Sequence, residues 1–254
     1  MNDSWHYYYI KNNFETAILN TDREPRFYAN LGFDGGLWYG NGRYKDVGVG
    51  TTAEQPYVVT AKASEPSGKL SDIRYSKTGY YAKKPSHFES AFSTTGALTL
   101  TRYTFPIYRL GDLYLMYAEA LNETLEQPNE EVFSYVDSIR SRAGLENVRD
   151  SWLKYSKLPN KPMTKDGMRE IIQHERGVEL AFEGKRLWDL RRWKKAHIVF
   201  NEYVKGWNVA GKNTADYYKI VYIEKNEFFT KNYLWSIRLR ELRTNTNLVQ
   251  NPLW

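Results

Sequence analysis

The sequence predicts a mainly α-helical fold that carries a loop-rich excursion with short strands in its N-terminal part. Glycine indicates the excursion, because seven glycines fall between Gly32 and Gly50, a density that a regular helix does not tolerate. Periodicity indicates the helical part, because apolar residues recur every three or four positions from Arg109 to Glu123. We therefore place the excursion at residues 1–105 and the helical region at residues 106–254.

Within the excursion, we expect one early helix from Tyr8 to Leu19. Short runs rich in Thr, Val and Tyr predict strands at Tyr57–Ala61 and Ala97–Tyr103. The two ends of the excursion are expected to lie close together, as insertions into a domain usually require.

The helical region is predicted to begin with two consecutive helices. After the helix at Arg109–Glu123, Asn129 is a suitable N-cap for a second helix, and Gly144 suits its C-terminal stop. Arg140 and Arg142 near that stop oppose the helix dipole favourably. A single pair of this kind is too small for a free-standing solenoid.

A third helix is predicted to start after Thr164 as its cap. Its apolar stripe continues beyond Gly184, and the final 50 or so residues alternate more weakly, with one strand expected at Tyr217–Ile223. The stripe consists of Met168, Ile171, Ile172, Val178, Phe182, Trp188, Leu190 and Trp193.

Composition excludes several classes of site. The chain has no cysteine, which excludes disulfides, Cys-ligated zinc and iron–sulfur clusters. Its net charge of +6 invites a nucleic-acid partner, yet the basic residues are interspersed with carboxylates, so we expect none. The four histidines do not show metal-ligand spacing, and neither a G-x-S-x-G elbow nor a phosphate-binding loop is present. We therefore predict no enzyme, no metal and no cofactor.

The segment from His174 to Lys195 is charged nearly throughout, yet it contains Trp188 and Trp193. We interpret it as structural, with a partly buried salt network that includes the pairs Glu183–Arg186 and Asp189–Arg192. On this interpretation Trp188→Ala destabilises the fold by a few kcal/mol.

Four stretches in the same order resemble the SusD/RagB family, the glycan-binding lipoproteins of Bacteroidetes outer membranes. The His174–Lys195 segment resembles the signature helix, and Phe105–Glu123 resembles the hydrophobic helix with its Arg-Leu-x-Asp-Leu entry. Asp22–Gly35 is similar to the loop-domain entry, and Phe228–Trp254 resembles the closing segment with its Asn-Pro-x-Trp end. The basic run at residues 236–241 departs from the proline-containing turn of the family.

The resemblance implies a SusD-like helical domain with one tetratrico-like helix pair. It also implies non-catalytic capture of oligosaccharide or polysaccharide at the cell outer membrane, for delivery to a TonB-dependent SusC-like transporter. Family members attach to the membrane through a lipidated N-terminal Cys and carry an earlier helical half. Neither is found in this sequence, so the chain resembles the C-terminal half to two-thirds of such a protein.

The best candidate binding segment is Phe33–Tyr44, where glycines alternate with aromatic residues. Aromatic side chains there suit stacking on pyranose faces, and polar ones suit hydrogen bonds to hydroxyls. The predicted site comprises Trp38, Tyr39 and Tyr44 for stacking, with Asn41 and Arg43 for hydrogen bonding. The alternative is that Trp38 anchors this loop to the core.

A second aromatic run, Trp5–Tyr9, belongs either to the same surface or to an exposed interface with an absent domain. Two competing functions stay open at this point. One is a protein-interaction scaffold without glycan affinity, and the other is a glycoside hydrolase-like enzyme, which the lack of a catalytic motif disfavours.

Overall fold

The structure is a computed structural model that describes residues 9–39, 56–73, 75–84, 86–87, 89–92 and 98–254. The early helix predicted for Tyr8–Leu19 is wrong from Ile10 onward, although Tyr9 is helical. Beyond Ile10 the segment contains a turn and extended chain, followed by a 3₁₀ turn at Ile18–Asn20. Its backbone pairs with a distant segment instead, because Ile10 bridges Gly36 and the Lys11 amide donates to the Gly35 carbonyl at 2.9 Å.

Very short elements form the described part of the excursion. Helix α1 (Pro25–Asn30) runs into the first of six strands, each two residues long, and the strands pair antiparallel as β1–β4, β2–β3 and β5–β6. Both strands predicted for this part are confirmed in place, although each is shorter than expected. The strands are β1 (Leu31–Gly32), β2 (Leu37–Trp38), β3 (Tyr57–Val58), β4 (Tyr81–Ala82), β5 (Ala91–Phe92) and β6 (Leu98–Thr99).

The helical region contains the predicted helices with their predicted caps. The Asn129 side chain accepts a hydrogen bond from the Val132 amide at 3.0 Å, and the Thr164 hydroxyl accepts one from the Gly167 amide at 3.1 Å. Gly144 ends its helix at a φ of 73°, in the region that favours glycine. The four longer helices are α2 (Leu110–Thr124), α3 (Glu130–Arg142), α4 (Val148–Tyr155) and α5 (Lys165–Glu179).

The main hydrophobic core lies where α2 packs against α3 and α5. Its side chains come from the apolar faces of these helices, as the three- and four-residue spacing requires. The buried members are Leu115, Ala118, Val132, Phe133, Val136, Ile139, Val148, Met168, Ile171 and Ile172.

The single apolar stripe predicted across Gly184 is wrong beyond Glu179. Helix α5 ends there, and both Phe182 (φ 65°) and Gly184 (φ 72°) adopt left-handed backbone before α6 (Arg186–Arg192) begins. This turn redirects the chain, so the side chains of α6 do not continue the face of α5. Phe182 and Trp188 are therefore exposed, by 49% and 57%, whereas Leu190 is buried.

The last part of the chain forms a two-stranded hairpin, followed by a C-terminal segment with short helical elements. After α7 (Ala196–Val199), strand β7 (Tyr203–Trp207) pairs with β8 (Ile220–Lys225), and α8 (Thr214–Tyr217) lies between them. The predicted strand at Tyr217–Ile223 is thus confirmed only from Ile220. A short helix, α9 (Leu239–Thr244), begins within the basic run that departs from the family pattern.

A second core cluster joins this hairpin to the excursion. It consists of Val59 and Ala61 from the excursion with Trp207 and Tyr217 from the C-terminal part. Among the described residues, no helix is both long enough and apolar enough to cross a membrane.

Candidate functional site

The base of the predicted binding segment is fixed by one buried carboxylate, Asp34, which is 1% exposed. Its Oδ1 accepts a hydrogen bond from the Ala61 amide at 2.8 Å. Its Oδ2 accepts from the Lys62 ammonium at 2.8 Å and from the Tyr218 hydroxyl at 3.0 Å. Since a buried charge with several partners resists displacement, Asp34 ties the segment to the second core cluster.

Gly35 and Gly36, which follow Asp34, allow the backbone to approach Val59 closely. The Gly35 amide donates to the Val59 carbonyl at 2.8 Å, and the Val59 amide donates to the Gly36 carbonyl at 2.9 Å. Gly35 has a φ of 84°, and a Cβ atom there would overlap the ring of Phe14. Gly35 and Gly36 therefore fix the segment on the protein.

Trp38 lies at the edge of the second core cluster and is half-buried. Its six-membered ring packs so closely on β1 that a Cβ atom at Gly32 would be 2.8 Å from Trp38 Cζ3. Trp38 thus has an anchoring contact, as the alternative interpretation expected, while part of the side chain stays accessible. Tyr39 follows it and is also half-buried.

The other predicted site residues, Asn41, Arg43 and Tyr44, lie outside the described residues. The same holds for the aromatic run Trp5–Tyr9 except its last member. Tyr9 stacks on the buried Tyr28, with ring centroids 4.4 Å apart and an interplanar angle of 6°.

Lys83 is a site residue that the sequence analysis missed. Its ammonium donates to the carbonyls of Tyr28 at 3.0 Å and Leu37 at 2.9 Å, and it lies 5.4 Å from the centroid of the Trp38 ring. Burial lowers the pKa of Lys83 to about 8. The residue links α1 to β2 beneath Trp38, and no sequence pattern distinguishes it from the adjacent Lys84.

Two tyrosines lie beside Trp38 at the same cluster. The hydroxyls of Tyr57 and Tyr81 both bond Ser67, the first to its side chain at 2.7 Å and the second to its carbonyl. Burial raises the pKa of Tyr81 to about 12, so its phenol keeps its proton at neutral pH.

The charged segment His174–Lys195 contains a buried ion network, as the sequence predicted. Glu179, which is 2% exposed, accepts from Arg26 at 3.1 Å, from Arg109 at 2.5 Å and from Arg142. Glu175 lies beside it and accepts from Arg26 at 2.6 Å. Since Arg26 belongs to α1, this network joins the excursion to α5.

One of the two predicted ion pairs is confirmed and the other is wrong. Arg192 contacts Asp189 at 2.9 Å within α6. Glu183 contacts Arg109 at 2.8 Å and Lys84 at 2.5 Å, because the turn at Gly184 directs it away from Arg186. Burial opposes ionisation of Glu183, but hydrogen bonds from these two cations outweigh it and lower its pKa.

A second group of ions is centred on Arg176 of α5. Arg176, which is 3% exposed, contacts Asp112 at 3.0 Å and Asp189 at 3.0 Å. Arg192 and the Trp193 indole both donate to Glu119, at 2.5 Å and 2.7 Å. These bonds hold α6 against α2 and α5. The carboxylates involved are each paired with an arginine and have a structural role.

Other candidate sites are few in the part of the chain that the structure describes. It contains no cluster of three or more His, Asp or Glu side chains suited to a metal ion. One open groove, of about 620 Å³, includes Arg140 and Trp152, and another, of about 650 Å³, includes Gln173 and Trp193. Both lie away from Trp38 and Tyr39.

The comparison with protein families decides the identity. The match to the SusD family extends over residues 2–254. The chain belongs to the SusD family. This membership confirms the resemblance that the four sequence stretches indicated.

Individual relatives agree with membership of the SusD family. The chain is 33% identical to SusD-like protein P2 of Formosa agariphila over 143 residues, which are 56% of this chain and 24% of that protein. Among solved structures, BT4246 superposes with a TM-score of 0.76 at 27% identity, covering 100% of this chain and 41% of that one. A SusD-like protein from Bacteroides fragilis superposes with a TM-score of 0.68 at 26% identity, covering 92% of this chain and 39% of that one.

A further structure, described as a SusD-like carbohydrate binding protein from Bacteroides fragilis, shares the fold with a TM-score of 0.58 at 22% identity. It covers 91% of this chain and 42% of that protein. The SusD-family chain thus spans about a quarter of the curated relative and about two fifths of the solved structures. The mainly α-helical, SusD-like fold is shown over this span.

Proposed function

We propose that this chain binds a glycan without cleaving it, through the segment that begins at Trp38 and Tyr39. The observation that carries the proposal is the match to the SusD family over residues 2–254. The carbohydrate binding for which the relative from Bacteroides fragilis is named is the activity we propose here.

The geometry of the described residues supports a binding role for this segment. Asp34, Gly35 and Lys83 hold the chain before Trp38 on the protein, so Trp38 starts from a fixed position. Fixing an aromatic side chain before the ligand arrives reduces the entropy lost on binding. The accessible part of Trp38 then offers an indole face to the C–H groups of a pyranose ring.

In this proposal Tyr39 and Tyr44 extend the stacking surface, and Asn41 and Arg43 bind sugar hydroxyls. The protein acts at the outer-membrane surface, attached by a lipid anchor, and delivers the glycan to a TonB-dependent SusC-like transporter. The glycan-binding excursion then corresponds to residues 1–105 and the supporting helical region to residues 106–254.

The carboxylates support binding rather than hydrolysis. A glycosidase requires two carboxyl groups that face the scissile bond from opposite sides. Glu175, Glu179 and Asp189 are each buried and bonded to arginine, and Asp34 is bonded to Lys62. Buried carboxylates that are paired with cations in this way have a structural role and are not available to contact a sugar.

A screen of immobilised polysaccharides, with the unbound sugars analysed for cleavage, tests the proposal. We expect retention without cleavage, and a loss of retention in Trp38→Ala and in Tyr39→Ala. Tyr222→Ala is the matched control, because Tyr222 is 66% exposed on strand β8, where its ring packs against Tyr203. Thermal unfolding of each variant shows whether the fold persists.

Retention that is equal in the wild type and in both folded variants would contradict the assignment of this segment. A folded wild type that retains no polysaccharide would favour the alternative function, a protein-interaction scaffold. Release of shorter sugars would contradict the non-catalytic assignment.

A further inference from the structure

A patch of aromatic side chains and cations, partly or largely exposed, surrounds the 3₁₀ turn Thr230–Tyr233. Three cations there each lie over an aromatic ring and, among the described residues, form no ion pair with a carboxylate. The cation–ring pairs are Arg191 with Trp188 and Trp235, Lys194 with Tyr233, and Lys231 with Trp254. We call this the turn patch.

Arg191 is the centre of the turn patch. Its Cζ lies 5.8 Å from the centroid of the Trp188 ring and 4.8 Å from that of Trp235. Its Nη2 donates to the Tyr233 carbonyl at 2.6 Å, which fixes the guanidinium between the two indoles. Within the described parts of the chain its other N–H groups have no acceptor, so they remain available to a ligand.

The two indoles are unusually accessible for tryptophan. Trp188 is 57% exposed and Trp235 is 66% exposed, although tryptophan is highly buried on average. Both are held in place from the protein side, Trp188 by its position on α6 and Trp235 by the bond that the Asn251 side-chain Nδ2 donates to its carbonyl at 2.6 Å. Exposed aromatic rings on a fixed backbone are suited to stacking on a ligand.

The cations of the turn patch differ from two neighbouring arginines, which are paired with carboxylates. Arg192, next to Arg191, contacts both Glu119 and Asp189, and Arg176 contacts Asp112 and Asp189. The neighbouring arginines are thus neutralised by carboxylates, whereas the cations of the turn patch lie over aromatic rings. The patch therefore presents positive charge and apolar rings together.

We propose that the turn patch binds an anionic glycan whose sugars carry carboxylate groups. A pyranose face stacks on Trp188 or Trp235, while the carboxylate accepts charge-assisted hydrogen bonds from Arg191. Lys194 and Lys231 add attraction that salt screens. The inference rests on the proposed glycan binding for its ligand class, but it concerns a different surface from the segment at Trp38.

Binding of oligomers of polygalacturonic acid, compared with the same oligomers after methyl esterification, tests the proposal. The ester keeps the sugar and the linkage and removes only the charge. We expect the acid to bind at least about tenfold more tightly than the ester, and Arg191→Gln to weaken binding of the acid about tenfold. The double variant Trp188→Ala/Trp235→Ala should weaken both ligands.

Arg240→Gln is the matched control, because Arg240 is an exposed arginine of α9 and its change removes the same charge. Its affinity should stay within about twofold of the wild type. Thermal unfolding checks that each variant is folded. Equal binding of acid and ester, no binding of the acid, or an equal loss in Arg240→Gln would overturn the proposal.

The two surfaces can be told apart with Trp38→Ala/Tyr39→Ala. If this variant loses neutral glycans and keeps the polygalacturonate, both proposals stand. If it loses the polygalacturonate while Arg191→Gln keeps it, the turn patch is not the site and the proposed function stands. Binding of single-stranded polythymidine that depends equally on Trp188 and Trp235 would overturn the glycan as the ligand of the patch.

Discussion

Replacing Glu179 by glutamine should destabilise the protein, because Glu179 is the point at which the excursion and three helices meet. The side chain is 2% exposed and contacts Arg26 from α1, Arg109 from the entry to α2 and Arg142 from α3. The amide of glutamine keeps the shape but removes the negative charge. Arg26 and Arg109, whose side chains are 10% and 24% exposed, then each lose one buried partner.

Removing one member of an isolated buried ion pair costs about 3–5 kcal/mol, since the remaining charge is left unpaired away from water. Arg26 keeps Glu175 at 2.6 Å and Arg109 keeps Glu183 at 2.8 Å, so we expect a smaller loss of about 1–3 kcal/mol. Arg142 adds little, because its side chain is 60% exposed and water screens its charge. For a protein of this size each kcal/mol lowers the midpoint of thermal unfolding by about 2–4 °C. We therefore expect Glu179→Gln to lower the midpoint by about 2–12 °C.

Glu170→Gln on the same helix is the matched control. Glu170 contacts Lys161 at 2.6 Å, but its side chain is 58% exposed. Exposed pairs contribute about 0–1 kcal/mol, so this variant should unfold close to the wild type. Urea and thermal unfolding followed by circular dichroism measure both variants. Equal destabilisation by the two changes would refute the reasoning that burial gives the Glu179 network its strength.

Two further predictions concern Trp188 and Lys83. Trp188→Ala should cost less than about 1 kcal/mol in the free energy of unfolding, because the side chain is 57% exposed, whereas Leu190→Ala on the same helix should cost about 2–5 kcal/mol. Similar losses in the two variants, measured by urea unfolding, would show that Trp188 is part of the core. For Lys83, the pKa falls from 10.5 to about 8 on folding, so the unfolded chain binds more protons than the folded protein between these values. Stability should therefore rise with pH in this window, by about 1 kcal/mol from pH 7 to pH 9 relative to Lys83→Met, in which this titration is absent. A constant difference between wild type and Lys83→Met over pH 7–9 would contradict the burial of a charged ammonium beneath Trp38.

Local signals in the sequence determined the helices. The caps at Asn129 and Thr164 and the stop at Gly144 act within a few residues of themselves, so the sequence located these boundaries correctly. The sequence also indicated the family, because four stretches that resemble it occur in the family's order along the chain. The two-residue strands were found only in part, since such short elements depend on distant partners rather than on their own composition.

The prediction of an early helix at Tyr8–Leu19 was also wrong because distant partners decide the backbone conformation there. The described part of Tyr8–Leu19 contains apolar residues at plausible spacing, but its backbone bonds go to Gly35 and Gly36. A propensity of a few tenths of a kcal/mol per residue does not compete with such tertiary pairing. Trp188 shows the converse case, in which a tryptophan assigned to the core became exposed because Phe182 and Gly184 turn the chain first.

For the candidate site, the sequence by itself determined the aromatic composition and the order of Trp38 and Tyr39. Only the tertiary structure decided that Asp34, Lys62 and Tyr218 meet beneath the segment, and that Lys83 bonds Leu37. It also decided which arginines have carboxylate partners and which, like Arg191, face aromatic rings instead. The physical reason is that patterning and capping are local interactions, whereas a charge finds its partner only where folding brings two distant parts of the chain within hydrogen-bonding distance.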